Sequence, residues 1–301
     1  MRAIRIDRFG GPEVLRIVDT VDVEPRSDEA LVRTIATSIN PVDDKTRGGV
    51  IGEGTPALPM TLGWDLAGIV VDGGASGLHA GARVIAMSHQ LDTGRGTWAD
   101  LVALPVCSLA PAPRAVSLVE AATLPLPGLI ALQTLNWLEI SAGKLLLVTG
   151  ATGAVGGLAV QIARARGARV DALVSRTEHT VLAERYGAEF VATNPKAFGG
   201  RGYDAVFDTY GALATKAIAD GGRYASIATQ AGPAPDLTYR GVQTIVNQVR
   251  EDGAGLAELT RLVDAGALKL RVDSTFGLHA IQDAHARYKQ GHLNGKIAII
   301  L

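Results

Sequence analysis

With 301 residues, 47% of them hydrophobic and 20% charged, and a formal charge of -1, the chain has the make-up of an ordinary globular protein of one or two domains. That balance excludes the basic excess that nucleic acid or an anionic membrane surface calls for. The single Cys107 excludes an internal disulfide, no apolar run approaches the ~20 residues of a membrane span, and MRAIRIDRFG has charges where a signal peptide needs an apolar core, so a soluble cytoplasmic protein is expected.

Residues 1–115 read as β-rich. Short strand candidates stand at Arg2 to Asp7, Leu15 to Val23, Ala30 to Ser38 and Ala67 to Val71, with ARVIAM and WADLVALP as two more, all separated by Gly, Pro and Asp turns. Regular short strands of this kind suggest a small barrel or sandwich. From Val116 the pattern turns helical. Ser117 can cap, with Glu120 as its capping-box partner, and Pro125 and Pro127 are expected to break or kink the helix before Leu129 to Ile140 resumes it.

An abrupt change follows at Leu145 to Gly156, LLLVTGATGAVG. Leu145 to Thr149 has the continuous apolar character of a strand buried on both faces. Gly150, Gly153 and Gly156 come at three-residue spacing, and Val155, Leu158, Ile162 and Ala165 then recur at helical intervals. Strand, glycine turn and helix together bind a dinucleotide: the glycines let the backbone approach a pyrophosphate, and the helix N-terminus offers unpaired N–H groups. Gly150, Ala151, Thr152, Gly153, Ala154, Val155 and Gly156 are therefore the expected cofactor turn.

The next strand, Ala168 to Val174, completes a βαβ unit after Gly167. The residue at its carboxyl end reads the ribose: an acid suits NAD, a basic residue the 2′-phosphate of NADP. Asp171 lies about twenty residues past the first glycine, but counting from Gly167 leaves it mid-strand. The end positions are Ser175 and Arg176, with His179 a turn further on. A guanidinium fork suits a phosphate, so NADPH is the expected cofactor.

Alternation continues through a helical stretch at Glu178 to Tyr186 and strands at Phe190 to Ala192, Tyr203 to Asp208 and Arg223 to Ala228, which fits a doubly wound parallel sheet. A helix at Leu256 to Asp264, a second short one at His279 to Lys289 and a closing strand from Lys296 finish the chain. The tail is expected to return to the first domain. The expected division is a β-rich domain of residues 1–115 completed by 271–301, and a nucleotide-binding domain of residues 116–270.

Several motifs in order, FGGPEVLRI, NPVDDKTRGG, LGWDLAGIVV, GTWADLVALP, AATLPLPGLIA, the glycine turn and GHLNGKIAIIL, resemble the medium-chain dehydrogenase/reductase superfamily. Within it, the chain is similar to the zinc-independent quinone oxidoreductases related to zeta-crystallin. The likeness implies a GroES-like catalytic domain, a Rossmann-type α/β domain, substrate in the cleft between them, a homodimer, and NADPH-dependent reduction of quinones or α,β-unsaturated carbonyl compounds. It also implies Thr123 at the cofactor. A zinc alcohol dehydrogenase carries Gly-His-Glu where this chain has Gly63, Trp64 and Asp65, and an indole cannot ligate zinc. No metal site is expected.

The loop from Asn40 matches the family's nicotinamide-side loop. Asn40 can donate to a substrate oxygen or fix the nicotinamide, and Asp43 has a structural character in the family. Lys45 departs from the pattern, since relatives often carry Tyr or Trp there; it would set a cationic donor near the acceptor's oxygen. Reduction of a C=N bond or of a specialised metabolite, and a non-catalytic NADPH-binding role, remain open at this point.

Overall fold

The computed structural model describes all 301 residues, the side chain of Thr229 excepted. It divides into two compact units, Met1–Leu126 with Arg250–Leu301, and Pro127–Val249. In chain order the first unit holds β1 (Arg2–Ile6), β2 (Arg16–Asp19), β3 (Glu29–Ser38), α1 (Pro41–Arg47), β4 (Met60–Thr61), β5 (Asp65–Asp72), β6 (Arg83–Met87), α2 (Gln90–Thr93), β7 (Leu101–Pro105), β8 (Leu109–Pro111) and α3 (Leu118–Ala121). Strands β2, β1 and β4 form a small antiparallel sheet, while β3 pairs with both β5 and β7 and carries the sheet on to β6 and β8. Ile4, Ile6, Leu62, Trp98 and Ile297 are among the buried side chains of one apolar cluster, and Val32, Leu66, Val84 and Val102 belong to a second.

Helix α4 (Pro125–Trp137) begins where the sequence suggests a break. Pro125 is its first residue, and a proline in the first turn costs nothing because that N–H has no intrahelical partner anyway. The capping box ahead of it is as read: Glu120 N–H donates to Ser117 Oγ at 3.2 Å and Ser117 N–H to Glu120 Oε2 at 3.0 Å.

The second unit contains β9 (Leu145–Thr149), α5 (Ala154–Ala165), β10 (Arg169–Leu173), α6 (Thr180–Arg185), β11 (Phe190–Ala192), β12 (Tyr203–Asp208), β13 (Ile218–Ser226) and β14 (Gln243–Val246). All pairs are parallel, in the order β11-β10-β9-β12-β13-β14. That order reverses direction between β9 and β12, and the crevice beyond the carboxyl ends of the strands at such a switch is where open α/β sheets bind ligands. Among the described residues, α-helical crossovers follow only β9 and β10; later connections are 3-10 turns and loops, which still bury Phe198, Ala214, Leu237 and Val242 against the sheet.

The chain then re-enters the first unit with α7 (Gly253–Asp264), β15 (Val272–Gly277), α8 (Ile281–Gln290) and β16 (Lys296–Ile300). Residues 116–126 and 250–270, expected in the nucleotide domain, therefore belong to the first unit. Helix α7 explains the second of these: a Cβ on Gly253 would run into the carbonyls of Cys107 and Leu109, Thr260 Oγ1 donates to Pro111 O at 2.9 Å, and Asp264 accepts from Arg114 and Ala115 N–H. Strand β16 pairs antiparallel with β3, Ala298 opposite Ser38.

One buried carboxylate holds the switch point together. Asp208, at the end of β12, accepts from Thr149 Oγ1 at 2.5 Å, Tyr224 Oη at 2.6 Å and the N–H groups of Tyr210, Gly211, Ala212 and Leu213. These hydrogen bonds hold its pKa below the usual carboxylate range although burial opposes them. Asp208→Ala would strand six donors in and around a buried turn, and should cost about 3 kcal/mol or more, read from urea unfolding. A loss under 1 kcal/mol would mean water satisfies this turn.

Candidate active site

In the second unit, the sheet delivers the glycine turn to the carboxyl end of β9. Gly150 has φ +61°, and a Cβ there would strike Thr209 Oγ1, which donates to Thr149 O at 2.6 Å. A Cβ on Gly156 would enter the Gly150 carbonyl, so α5 can seat on the turn only with glycine at that position. Gly153 is the N-cap, and the first i→i-4 bond of the helix is Gly157 N–H to Gly153 O at 2.8 Å. The N–H groups of Ala154, Val155 and Gly156 precede that bond and are left for an anion. The backbone fits a pyrophosphate. Ala151 and Thr152 are buried in the turn, while Gly153 and Ala154 are exposed.

Asp171 lies mid-strand in β10, buried, accepting from Tyr203 Oη at 2.6 Å and paired with Arg201 at 3.2 Å. It serves the core, as the count from Gly167 suggests. Past the end of β10, Ser175 is exposed and Arg176 half-buried. Arg176 Nε lies 3.1 Å from Glu178 Oε1 and Nη2 lies 2.8 Å from His179 Nε2; the other ring nitrogen, Nδ1, is 3.2 Å from Thr152 Oγ1. Arg176, His179 and the glycine turn are thereby joined in one polar chain. Thr123 lies in the first unit, its hydroxyl donating to Glu120 O at 2.7 Å.

The first unit brings together a second constellation. Register places the end of β3, the start of β5 and the start of β16 side by side, so Ser38, Asp65 and Lys296 meet though distant in sequence. Asp65 is 0% exposed and Lys296 6%. Asp65 Oδ2 accepts from Ser38 Oγ, from Asn40 Nδ2 at 2.8 Å and from Lys296 Nζ at 3.1 Å, and Oδ1 accepts from Leu126 N–H, in the first turn of α4, at 2.7 Å. The Asp65 carbonyl takes the hydroxyls of Thr37 and Thr97.

Asn40, the N-cap of α1, is 1% exposed. Its amide has one allowed orientation: Oδ1 must face the Lys296 ammonium, which only donates, and Nδ2 the Asp65 carboxylate, which only accepts. One N–H of Nδ2 remains beyond the bond to Asp65. Asp43 reaches back to accept from Asn40 N–H at 2.8 Å and is fully buried; lacking a cation of its own, it is pushed by burial up to about 8. Lys45 is half-buried on α1. Trp64 is buried edge-on to His89, ring centroids 4.7 Å apart. Among the described residues no three His, Cys, Asp or Glu side chains converge as a metal site, and no helix is long and apolar enough to cross a membrane.

Ser38, Asp65 as a hub, and Lys296 are the residues that sequence reasoning passes over. The available signal was a lone acid opening an apolar strand in GWDLAGIVV and a lone lysine opening another in GKIAII.

Residues 26–114 match the family model for the alcohol dehydrogenase GroES-like domain and residues 177–299 that for zinc-binding dehydrogenase. The chain is 30% identical to the NADPH-dependent alkenal/one oxidoreductase, chloroplastic, of Arabidopsis thaliana, over 99% of this chain and 79% of that protein. It superposes on the quinone oxidoreductase from Coxiella burnetii with a TM-score of 0.86 at 26% identity, over 100% and 99% of the two chains. A mycobacterial structure complexed with NADPH matches with a TM-score of 0.84 at 26% identity, over 100% of both. With this fold and these matches, the chain belongs to the medium-chain dehydrogenase/reductase superfamily, in its quinone oxidoreductase (zeta-crystallin-like) family.

The Asp43 carboxyl has a measurable consequence. Between the unfolded value near 4 and about 8, the folded protein holds a proton that the unfolded chain has released, so this group lowers stability as pH rises through that window. Relative to Asp43→Asn, the parent should lose roughly 1 kcal/mol per pH unit across it. Parallel urea curves for the two proteins from pH 5 to pH 8, differing by a constant, would show that Asp43 is ionised in the folded state.

Proposed function

We propose that the protein is an NADPH-dependent reductase that delivers hydride to the electron-poor carbon of an α,β-unsaturated carbonyl compound or quinone, without zinc. The observation that carries this reading is the joining of Arg176 to the glycine turn, at the end of the strand where an NAD enzyme places its acid. The names of the relatives support the acceptor class.

When bound, NADPH would supply the hydride; the chain's own residues must hold the cofactor and the acceptor. Gly150 to Gly156 would take the pyrophosphate, Ser175, Arg176 and His179 the adenosine 2′-phosphate, and Thr123 a further contact. Asn40 would turn its remaining N–H toward the nicotinamide amide or the acceptor's oxygen, with Asp65 and Lys296 fixing the rotamer and Asp43 the loop. Lys45 would stabilise the enolate or quinol oxygen that collects charge as hydride arrives. Trp64, where zinc enzymes carry histidine, supports metal-free chemistry. The open outer edge of β14, last in its sheet, supports the homodimer expectation.

The test is NADPH consumption with a panel of quinones, enones and imines; turnover confined to imines would replace the proposed acceptor class. Arg176→Ala should weaken NADPH about ten- to a hundredfold and leave NADH unchanged, the scale of one charge-assisted phosphate contact. Equal dissociation constants for both cofactors in the parent would overturn the 2′-phosphate reading. Lys45→Met should lower kcat by about an order of magnitude with NADPH affinity intact, and Asn40→Ala should lower kcat/KM in protein shown to be folded. Parental rates in both would reduce this loop to scaffolding.

A further inference from the structure

The contact between Arg176 and His179 fixes a proton. A guanidinium carries only donors, so the 2.8 Å approach of Arg176 Nη2 to His179 Nε2 requires the ring's lone pair at Nε2. The ring hydrogen is then on Nδ1, which donates to Thr152 Oγ1 at 3.2 Å. His179 is neutral here, held in one tautomer between the arginine and the glycine turn. An imidazolium could not accept this bond, and would set two cations against each other.

We propose that His179 is a proton-linked reader of the cofactor's 2′-phosphate: binding of NADPH draws Arg176 onto the phosphate, frees Nε2, and His179 takes up a proton to become a second cationic donor to the same group. The proposal rests on Arg176 being the 2′-phosphate contact. The structure shows what makes the exchange possible. Arg176 is already steered by Glu178, which lies 3.1 Å from Nε and leaves the Nη2 end to trade one acceptor for another. A phosphate dianion is a far stronger acceptor for a guanidinium than an imidazole lone pair. Imidazole titrates near neutrality, so a neighbouring dianion readily moves it to the charged form.

Arg176 meets the ring and opposes its protonation, while Glu178 pairs with Arg176; Thr152 in the glycine turn is uncharged, and the N-terminal end of α6, which begins at Thr180, adds a weak opposing dipole. The phosphate reverses this balance. The NADPH complex then holds more protons than its separated partners, so NADPH affinity rises as pH falls through neutrality. NADH, which has no 2′-phosphate, shows no such linkage.

Calorimetric titration of the protein with NADPH at pH 7.0, in buffers of different ionisation enthalpy, counts the protons exchanged. The parent should take up roughly half a proton or more per NADPH and none with NADH. His179→Lys, permanently charged, should keep the NADPH preference and abolish the uptake; His179→Gln should abolish the uptake and weaken NADPH. The phosphate's own titration, with a second pKa of about 6, gives release on binding to cations, the opposite sign. NADPH preference without proton uptake overturns this proposal alone. Uptake that persists in both variants assigns the proton elsewhere and overturns it too. Equal binding of NADPH and NADH overturns the 2′-phosphate reading and this proposal with it.

Discussion

The first unit depends on the buried pair of Asp65 and Lys296, 3.1 Å apart. Two charges out of water cost several kcal/mol each, and their attraction offsets that only when the remaining donors and acceptors are satisfied. Asp65 meets the condition with Ser38, Asn40 and Leu126 N–H, and Lys296 with the Asn40 carbonyl. With the pair itself, these residues come from four separated points of the chain. Such a pair adds little over a well-packed apolar one, but removing a single partner costs about 3–5 kcal/mol, which penalises any register of β16 that leaves Asp65 alone. The closing strand is thereby keyed to β3 and β5, and the Asn40 amide is set in one orientation by the same two charges.

The second unit uses a carboxylate in a comparable way. Asp208 gathers hydroxyls and backbone N–H groups from the turn that follows it, and through Thr149 and Thr209 it backs the glycine turn. Neither carboxylate is itself proposed to touch a ligand. Each converts strand register into the placement of a loop, which is what a site assembled at strand ends requires.

The second unit was largely legible in the sequence, and the first only in outline. Strand β9 begins and ends where its apolar run does, because a strand buried on both faces is written as continuous hydrophobic residues, and β11 and β12 keep the bounds read from the sequence although β11 is half-buried and β12 carries Asp204 and Asp208. Counting from Gly167 separated Asp171 from Arg176, since a tight turn fixes the start of a strand. Pro125 does mark a break, since α3 ends at Ala121, but the next helix starts at that proline rather than at Leu129, because the residue that breaks a helix interior begins one without cost. Nothing local in the sequence marks the attachment of α7, which rests on Gly253 fitting against two carbonyls far away in the chain. Ser38, Asp65 and Lys296 left almost no trace: a bond between residues 231 apart is created by strand pairing, and no local spacing encodes it.

Metal-free hydride transfer is tested most directly by turning over an enone with NADPH deuterated at the transferable position of the nicotinamide ring, in the presence of a strong zinc chelator. The result expected is deuterium on the carbon β to the carbonyl, formed at the rate seen without chelator. Product lacking deuterium, or activity lost to the chelator and restored by zinc, would contradict it.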